Sequence, residues 1–294
     1  MSYMLDSVRY ILISMRPKQW VKNVFIFAGL IFSRNLFQGD LLIRVSVGFI
    51  LFSLASGSIY ILNDIIDIKN DREHPNKCKR PLAAGSLKVP KAVIVAVILT
   101  SFVLVVSFLL NINFFAILAA YIIINILYSF KIKQLVILDV MCIAMGFVLR
   151  VLAGTTLAGV SPSDWLFICA ITISLFLGFS KRRHELALIG ANANNHRKVL
   201  SDYSIPFLDQ MIAVATACTV MSYALYTISA ETVARFGTRN LVITIPFVIY
   251  GIYRYLYLIH KKEIGGNPTS AVLTDFPLLL DGIFWLIVII LVIY

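Results

Sequence analysis

The feature that most constrains this chain is a succession of apolar runs, each long enough to cross a bilayer. Nine candidate spans lie near 20–37, 41–62, 90–110, 113–130, 135–158, 164–180, 207–230, 240–260 and 277–294. A run of ~18 or more apolar residues matches the ~30 Å hydrocarbon core of a membrane. Backbone groups in lipid must pair within their own segment, so the runs are expected to be helices. Composition agrees: 60% of the 294 residues are hydrophobic and only 14% charged, where a soluble domain carries about a quarter charged. The expectation is an all-α polytopic membrane protein of nine transmembrane helices, folded as a single membrane-embedded catalytic domain over 1–294.

The net charge of +11 raises the question of nucleic acid, but its placement answers otherwise. Twenty of the 26 Lys and Arg fall in the N-terminal segment and in alternate connections at 63–91, 131–133, 181–198 and 261–262. The opposite connections hold Arg34, Arg44, Arg235 and Arg239. That asymmetry puts the N-terminus and the 63–91 loop in the cytoplasm, with the bacterial inner membrane as the expected location. No nucleic-acid partner is expected. Arg9, Arg16 and Lys18 precede the first apolar run and no small-residue cleavage site follows it, so no cleavable signal is expected. Cys78, Cys142, Cys169 and Cys218 lack CxxC spacing, and the histidines are scattered, which excludes the usual zinc patterns. Two connections are long, about 63–89 and 181–206, and "GANANNHRK" (190–198) is expected to be flexible and solvent-facing.

Residues 60–85, "YILNDIIDIKNDREHPNKCKRPLAAG", sort their charges: Asp64, Asp67 and Asp71 first, then Lys77, Lys79 and Arg80. If the second span continues as a helix, Asn63, Asp67, Asp71 and Asp64 fall at about 0°, 40°, 80° and 100°. Carboxylates that share a quarter of the circumference repel one another, and a divalent cation removes the penalty. Oxygen-only donors suit Mg2+, which takes one or two carboxylates and completes its shell with water and substrate phosphates. The alternative is a solvated helix end whose acids meet lysines. The bases downstream, in a turn stiffened by Pro75 and Pro81, suit phosphate. Together the halves describe a site for a Mg2+-bound diphosphate leaving group.

At that point the residues resemble a family. "NDIIDIKND" (63–71) is similar to the first aspartate-rich motif of the UbiA-type intramembrane prenyltransferase superfamily. The resemblance implies a UbiA-type bundle with a cytoplasm-facing cavity. "MRPKQWVKNVFIF" (15–27), "LDVMCIAMGFVLRVLAG" (138–154) and "FLGFSKRRHEL" (176–186) narrow it to one branch. Its members are decaprenyl-phosphate phosphoribosyltransferases, which join 5-phosphoribosyl 1-diphosphate (PRPP) to a polyprenyl phosphate and release diphosphate. The resemblance covers about residues 10–205. Ordinary prenyltransferases of the superfamily carry a second aspartate-rich motif after the sixth helix. Here that loop begins "SKRRHEL", with Glu185 its nearest acid. The cationic loop is either a positive topology signal or a site for the extra phosphate of PRPP.

The resemblance implies roles residue by residue. Asn63, Asp67 and Asp71 are metal ligands, and Asp64, Asp67 and Asp71 are the catalytic acids. Lys22, Tyr60, Lys77, Arg80, Lys181 and Arg182 bind PRPP. Lys131, Lys133 and Arg150 meet the lipid phosphate. Arg150 also stands out from hydropathy alone, because it lies twelve residues into its span and buried cations in membranes face a partner or a cavity. The cofactor is Mg2+, the partners PRPP, polyprenyl phosphate and the membrane, and an oligomer is open. Two rival readings remain: a prenyltransferase moving a prenyl diphosphate onto an aromatic acceptor, and a transporter of a phosphorylated metabolite.

Overall fold

A computed structural model describes residues 2–73, 76–161, 163–189, 198–261, 271 and 274–294. Among them every regular element is helical. The long helices are α1 (Ser2–Met15), α2 (Gly39–Ile66), α3 (Val89–Leu110), α4 (Ile112–Phe130), α5 (Leu138–Ala158), α6 (Asp164–Ile189), α7 (Ile205–Ile228), α8 (Ile245–Lys261) and α9 (Phe276–Ile293). Eight helices among the described residues are long and apolar enough to cross a membrane, from Gly39–Ile66 to Phe276–Ile293.

The ninth expected span, 20–37, takes another form. Pro17–Phe27 is a 3₁₀ helix, followed by one α-helical turn at Ala28–Ile31. Its shape follows from packing. A Cβ on Gly154 would come within 1.8 Å of the Ile26 carbonyl oxygen, so the backbone of α5 touches this segment directly. Small residues permit such approach, and packing of this kind drives helix association where lipid removes any hydrophobic gain. The flexible, solvent-facing segment expected at 190–198 lies outside the described residues, apart from Lys198, which opens a helical turn.

The described chain divides into two compact units. The first comprises residues 1–30, 36–135 and 149–160, the second residues 31–35, 136–148 and 161–294. In the first, α2 packs against α1, α3, α4 and the 3₁₀ segment. Its fully buried Phe52 and Phe114 sit in one apolar cluster with Ile26, Leu30 and Leu157. α3 exposes Ile94, Val97, Ile98 and Val105, the pattern of a lipid-facing helix. In the second unit, α6 and α7 form the most extensive helix pair, and α8 packs on α7 and α9. Asp275 caps α9 at the Leu278 amide, 3.1 Å, and holds Arg254 through both oxygens at 3.0 and 2.9 Å.

Candidate active site at the end of helix α2

α2 runs out of its apolar stretch at Asn63, and the helix breaks at Asp67, whose φ/ψ of −94°/9° leaves the α region. The i to i−4 hydrogen bonds still pass through the break, from the Asp67 amide to Asn63 O at 2.9 Å and from the Asp71 amide to Asp67 O at 2.8 Å. The chain therefore keeps nearly helical register into Ile68–Glu73. The acids stay close to the expected face.

Within it they sort into two sets by partner. Asp64, 2% exposed, accepts from Arg16 and from Arg80 at 3.1 Å, and the same Arg80 nitrogen reaches Asp71 at 2.6 Å. Asn63 accepts from the Ser129 hydroxyl, and Asp67 accepts from Lys133 at 2.7 Å. The basic half of the 60–85 segment thus folds back onto its own acidic half. The turn that returns it is pinned by Arg72 to Ala83 O, by Leu87 N to Pro81 O, and by Leu82 and Leu87 buried beside Ile61 and Met15. Gly85 sits at φ 77°, a conformation that costs an L-residue with a side chain.

Arg16 is a member of this cluster that sequence reasoning left out. It sits at the start of the 3₁₀ helix in left-handed backbone, φ 53°. Such conformations persist only where the surroundings over-determine them. Here the Asp64 ion pair, the Tyr60 ring 4.9 Å below the guanidinium and the bond from Trp20 Nε1 to Met15 O do so. The signal was present as "MRPKQW": a Pro that starts a tight helix leaves the residue before it confined. Ser129 was also missed, because nothing local marks a serine at a helix end as the partner of a residue 66 positions away.

The expected sites of Lys133 and Arg150 change. Lys133 belongs with Asp67 in this acid–base set, while Lys131, two residues earlier, is exposed. Arg150 is 6% exposed and held by Asn23 Oδ1 at 2.7 Å, the Tyr121 hydroxyl at 3.1 Å and the ring faces of Phe52 and Tyr121. Asn23 in turn donates to Ser53 and Ser56. A cation so enclosed holds the 3₁₀ segment to α2, α4 and α5. Arg150, expected at the lipid phosphate, is thus surrounded by side chains of its own unit. Lys22 and Tyr60 are half-buried, and Lys77 is exposed beside the turn.

The second expected cluster, in the other unit, divides as well. Arg182 has no exposed surface. It donates to Asp139 at 2.5 Å and to Glu185 at 2.5 Å. Tyr203 donates to the other oxygen of Asp139 at 2.8 Å and accepts from the Ile137 amide at 2.7 Å. Burial, with the Asp139 carboxylate beside it, raises the Tyr203 phenol further above its ordinary range, so it stays a neutral donor at physiological pH. Arg182, expected as a PRPP ligand, is buried with its guanidinium between Asp139 and Glu185 of its own unit. Lys181, one residue earlier, is 36% exposed and 3.8 Å from Glu185.

Chemically, the end of α2 offers oxygen donors, and Arg16, Arg80 and Lys133 bring three cations to them from separate segments. Among the described residues no three His, Cys, Asp or Glu side chains group as a metal cage. The donor set nonetheless fits Mg2+, which uses one or two carboxylates and takes its remaining ligands from water and phosphate. Asn63 and Asp67 supply two hard oxygens, and Asp67 is the most accessible of the three acids at 32%.

The eight apolar helices among the described residues make this an integral membrane protein, and the end of α2 gathers oxygen donors and cations in one place. The chain belongs to the UbiA prenyltransferase family, whose model matches residues 23–274, and it is a transferase. It is 32% identical over 286 residues to a decaprenyl-phosphate phosphoribosyltransferase of Corynebacterium glutamicum, covering 96% of this chain and 86% of that one. It is 31% identical over 284 residues to the protein of that name from Mycolicibacterium smegmatis, covering 93% and 89%. Its fold matches a UbiA homologue from Archaeoglobus fulgidus solved with GPP and Mg2+, with a TM-score of 0.74 at 18% identity over 97% of this chain and 99% of that one.

Proposed function

We propose that this protein transfers 5-phosphoribose from PRPP to a polyprenyl phosphate of the decaprenyl type and releases diphosphate, with Mg2+ as cofactor. The observation that carries the substrate class is the near full-length similarity to relatives named for that reaction. The oxygen donors and cations gathered at the end of α2 support the reading.

Asn63 and Asp67 would hold Mg2+, which neutralises charge on the departing diphosphate when bound. Arg16, Arg80 and Lys133, now paired with acids, are positioned to meet phosphate oxygens, and Lys77 on the adjoining turn extends the cationic set. Asp64 and Asp71 act by orienting Arg80, which both contact. Tyr60 supports Arg16 through its ring. Lys22 and Lys131 are further phosphate candidates from their sequence positions. The polyprenyl phosphate oxygen attacks C1 of the ribose while the bond from C1 to the diphosphate breaks, and a single displacement inverts the anomeric centre. The nucleophile is already anionic, so no strong general base is needed. The basic connections and the active site face the cytoplasm of a bacterial inner membrane, where PRPP is supplied.

The test is diphosphate release by the purified protein in detergent with PRPP, polyprenyl phosphate and Mg2+. Release that needs all three is expected. Release that instead needs a prenyl diphosphate and an aromatic acceptor replaces this reading with the prenyltransferase one, and no release with either pair overturns both substrate assignments.

A further inference from the structure

Within the second unit, α7 and α8 leave a groove of about 450 Å³ between them. That lies within the ~300–1,000 Å³ of ligand clefts. Its floor is a stripe of small or slender side chains on one face of α7, including Ala213, Thr216, Ala217 and Val220, and its far wall is Tyr253 and Leu256 of α8. One end is polar. Asp209 and His260 line it, and His260 Nε2 lies 3.4 Å from Asp209 Oδ1. The Arg183 guanidinium bonds the same oxygen. Among the described residues Oδ2 of Asp209 has no partner, although the side chain is 39% exposed.

The length of the groove is informative. From Asp209 to Met221 is twelve residues, or about 18 Å of helix, close to the ~15 Å that one leaflet contributes to a ~30 Å hydrocarbon core. The polar end lies five residues into α7 and next to the last residue of α8, where a headgroup would meet the membrane boundary. The charges there are of both signs: a carboxylate oxygen left open, beside a guanidinium.

We propose that this groove is a binding site for a single zwitterionic glycerophospholipid, of the phosphatidylethanolamine class, from the leaflet on that side. The ammonium meets Asp209 Oδ2, the phosphate meets Arg183, and one acyl chain lies along Ala213 and Ala217 toward Met221. An anionic lipid would satisfy the Arg183 guanidinium but bring its charge against Asp209, so the site discriminates by headgroup. The inference needs only the membrane insertion of the chain and is independent of which group the enzyme transfers.

Native mass spectrometry of protein released from nanodiscs with equal phosphatidylethanolamine and phosphatidylglycerol tests it. The wild type is expected to retain one phosphatidylethanolamine in preference to phosphatidylglycerol. Asp209→Asn, which keeps the shape, should weaken that preference by up to about fivefold, the range of a part-exposed ion pair. Ala217→Trp, at an exposed position on the groove, should abolish retention with helical content unchanged by circular dichroism. Equal retention of both lipids by the wild type, polyprenyl phosphate held in their place, or undiminished retention in Ala217→Trp overturns the proposal.

Discussion

Two clusters in this protein set arginine against aspartate, and they are built for opposite ends. At the end of α2, Arg16 and Arg80 are 28% and 27% exposed, and Lys133 16%. Their acids differ: Asp64 and Asp71 are buried, 2% and 4% exposed, and Asp67 is 32% exposed. Around Asp139 both members of the pair are fully buried, and Tyr203 fills the remaining acceptor site. A buried pair that loses one partner strands a charge in low dielectric, whereas an exposed one is rescued by water. Partial exposure of the cations, not the presence of charge, is what distinguishes the end of α2 from the Asp139 cluster.

The contrast can be broken at its strong end first. Arg182→Ala leaves Asp139 buried with only Tyr203, and the expected loss is about 3–5 kcal/mol of stability. Denaturant unfolding in detergent would measure it. Replacing Asp139 and Arg182 together by leucine should recover much of the loss, since the stranded charge is gone. An Arg182→Ala protein as stable as wild type, with PRPP affinity alone reduced, would return Arg182 to the reaction and erase the distinction.

At the exposed cluster the effects should fall on turnover. Asp67→Ala is expected to lower kcat by on the order of 10²–10³, comparable to removal of one preorganised electrostatic contact, with insertion and unfolding near wild type. Full activity in that variant, or wild-type activity in excess EDTA, would sink the Mg2+ assignment. Arg80→Ala comes next. A charged hydrogen bond is worth about 1.5–3 kcal/mol, so kcat/KM for PRPP should drop roughly ten- to a hundredfold, while KM for the lipid phosphate stays within about threefold.

Much of the fold was legible because lipid forces helices to declare themselves as apolar runs, and eight of the nine expected spans appear as such. The first did not, since its 3₁₀ form depends on Gly154 of a helix more than a hundred residues away. Near α2 the acids were legible from their spacing. Their sorting onto Arg80 and Lys133 was not, because it depends on how the 76–87 turn and the end of α4 return to them. Arg150 was recognised as buried, but its partners Asn23 and Tyr121 are polar residues with no periodic signature.

Lys181 sharpens the comparison at its weak end. It is the sequence neighbour of Arg182, so both belong to the same basic run. A helix turns about 100° per residue, which sends one side chain inward and leaves the other at the surface. Lys181 faces Glu185 across 3.8 Å with more than a third of its side chain exposed. Such an i,i+4 pair contributes about 0.3–0.5 kcal/mol, so Lys181→Ala should hardly move the unfolding midpoint. If the basic run also serves PRPP, Lys181 is the member able to do so. A flexible, hydrated ammonium gives less per contact than a guanidinium fork, and we expect KM for PRPP to rise about three- to tenfold, under ~1.4 kcal/mol. Kinetics with PRPP varied at saturating lipid phosphate decide the point. A KM within twofold of wild type would confine phosphate binding to the end of α2 and leave the run after α6 with topology and packing alone.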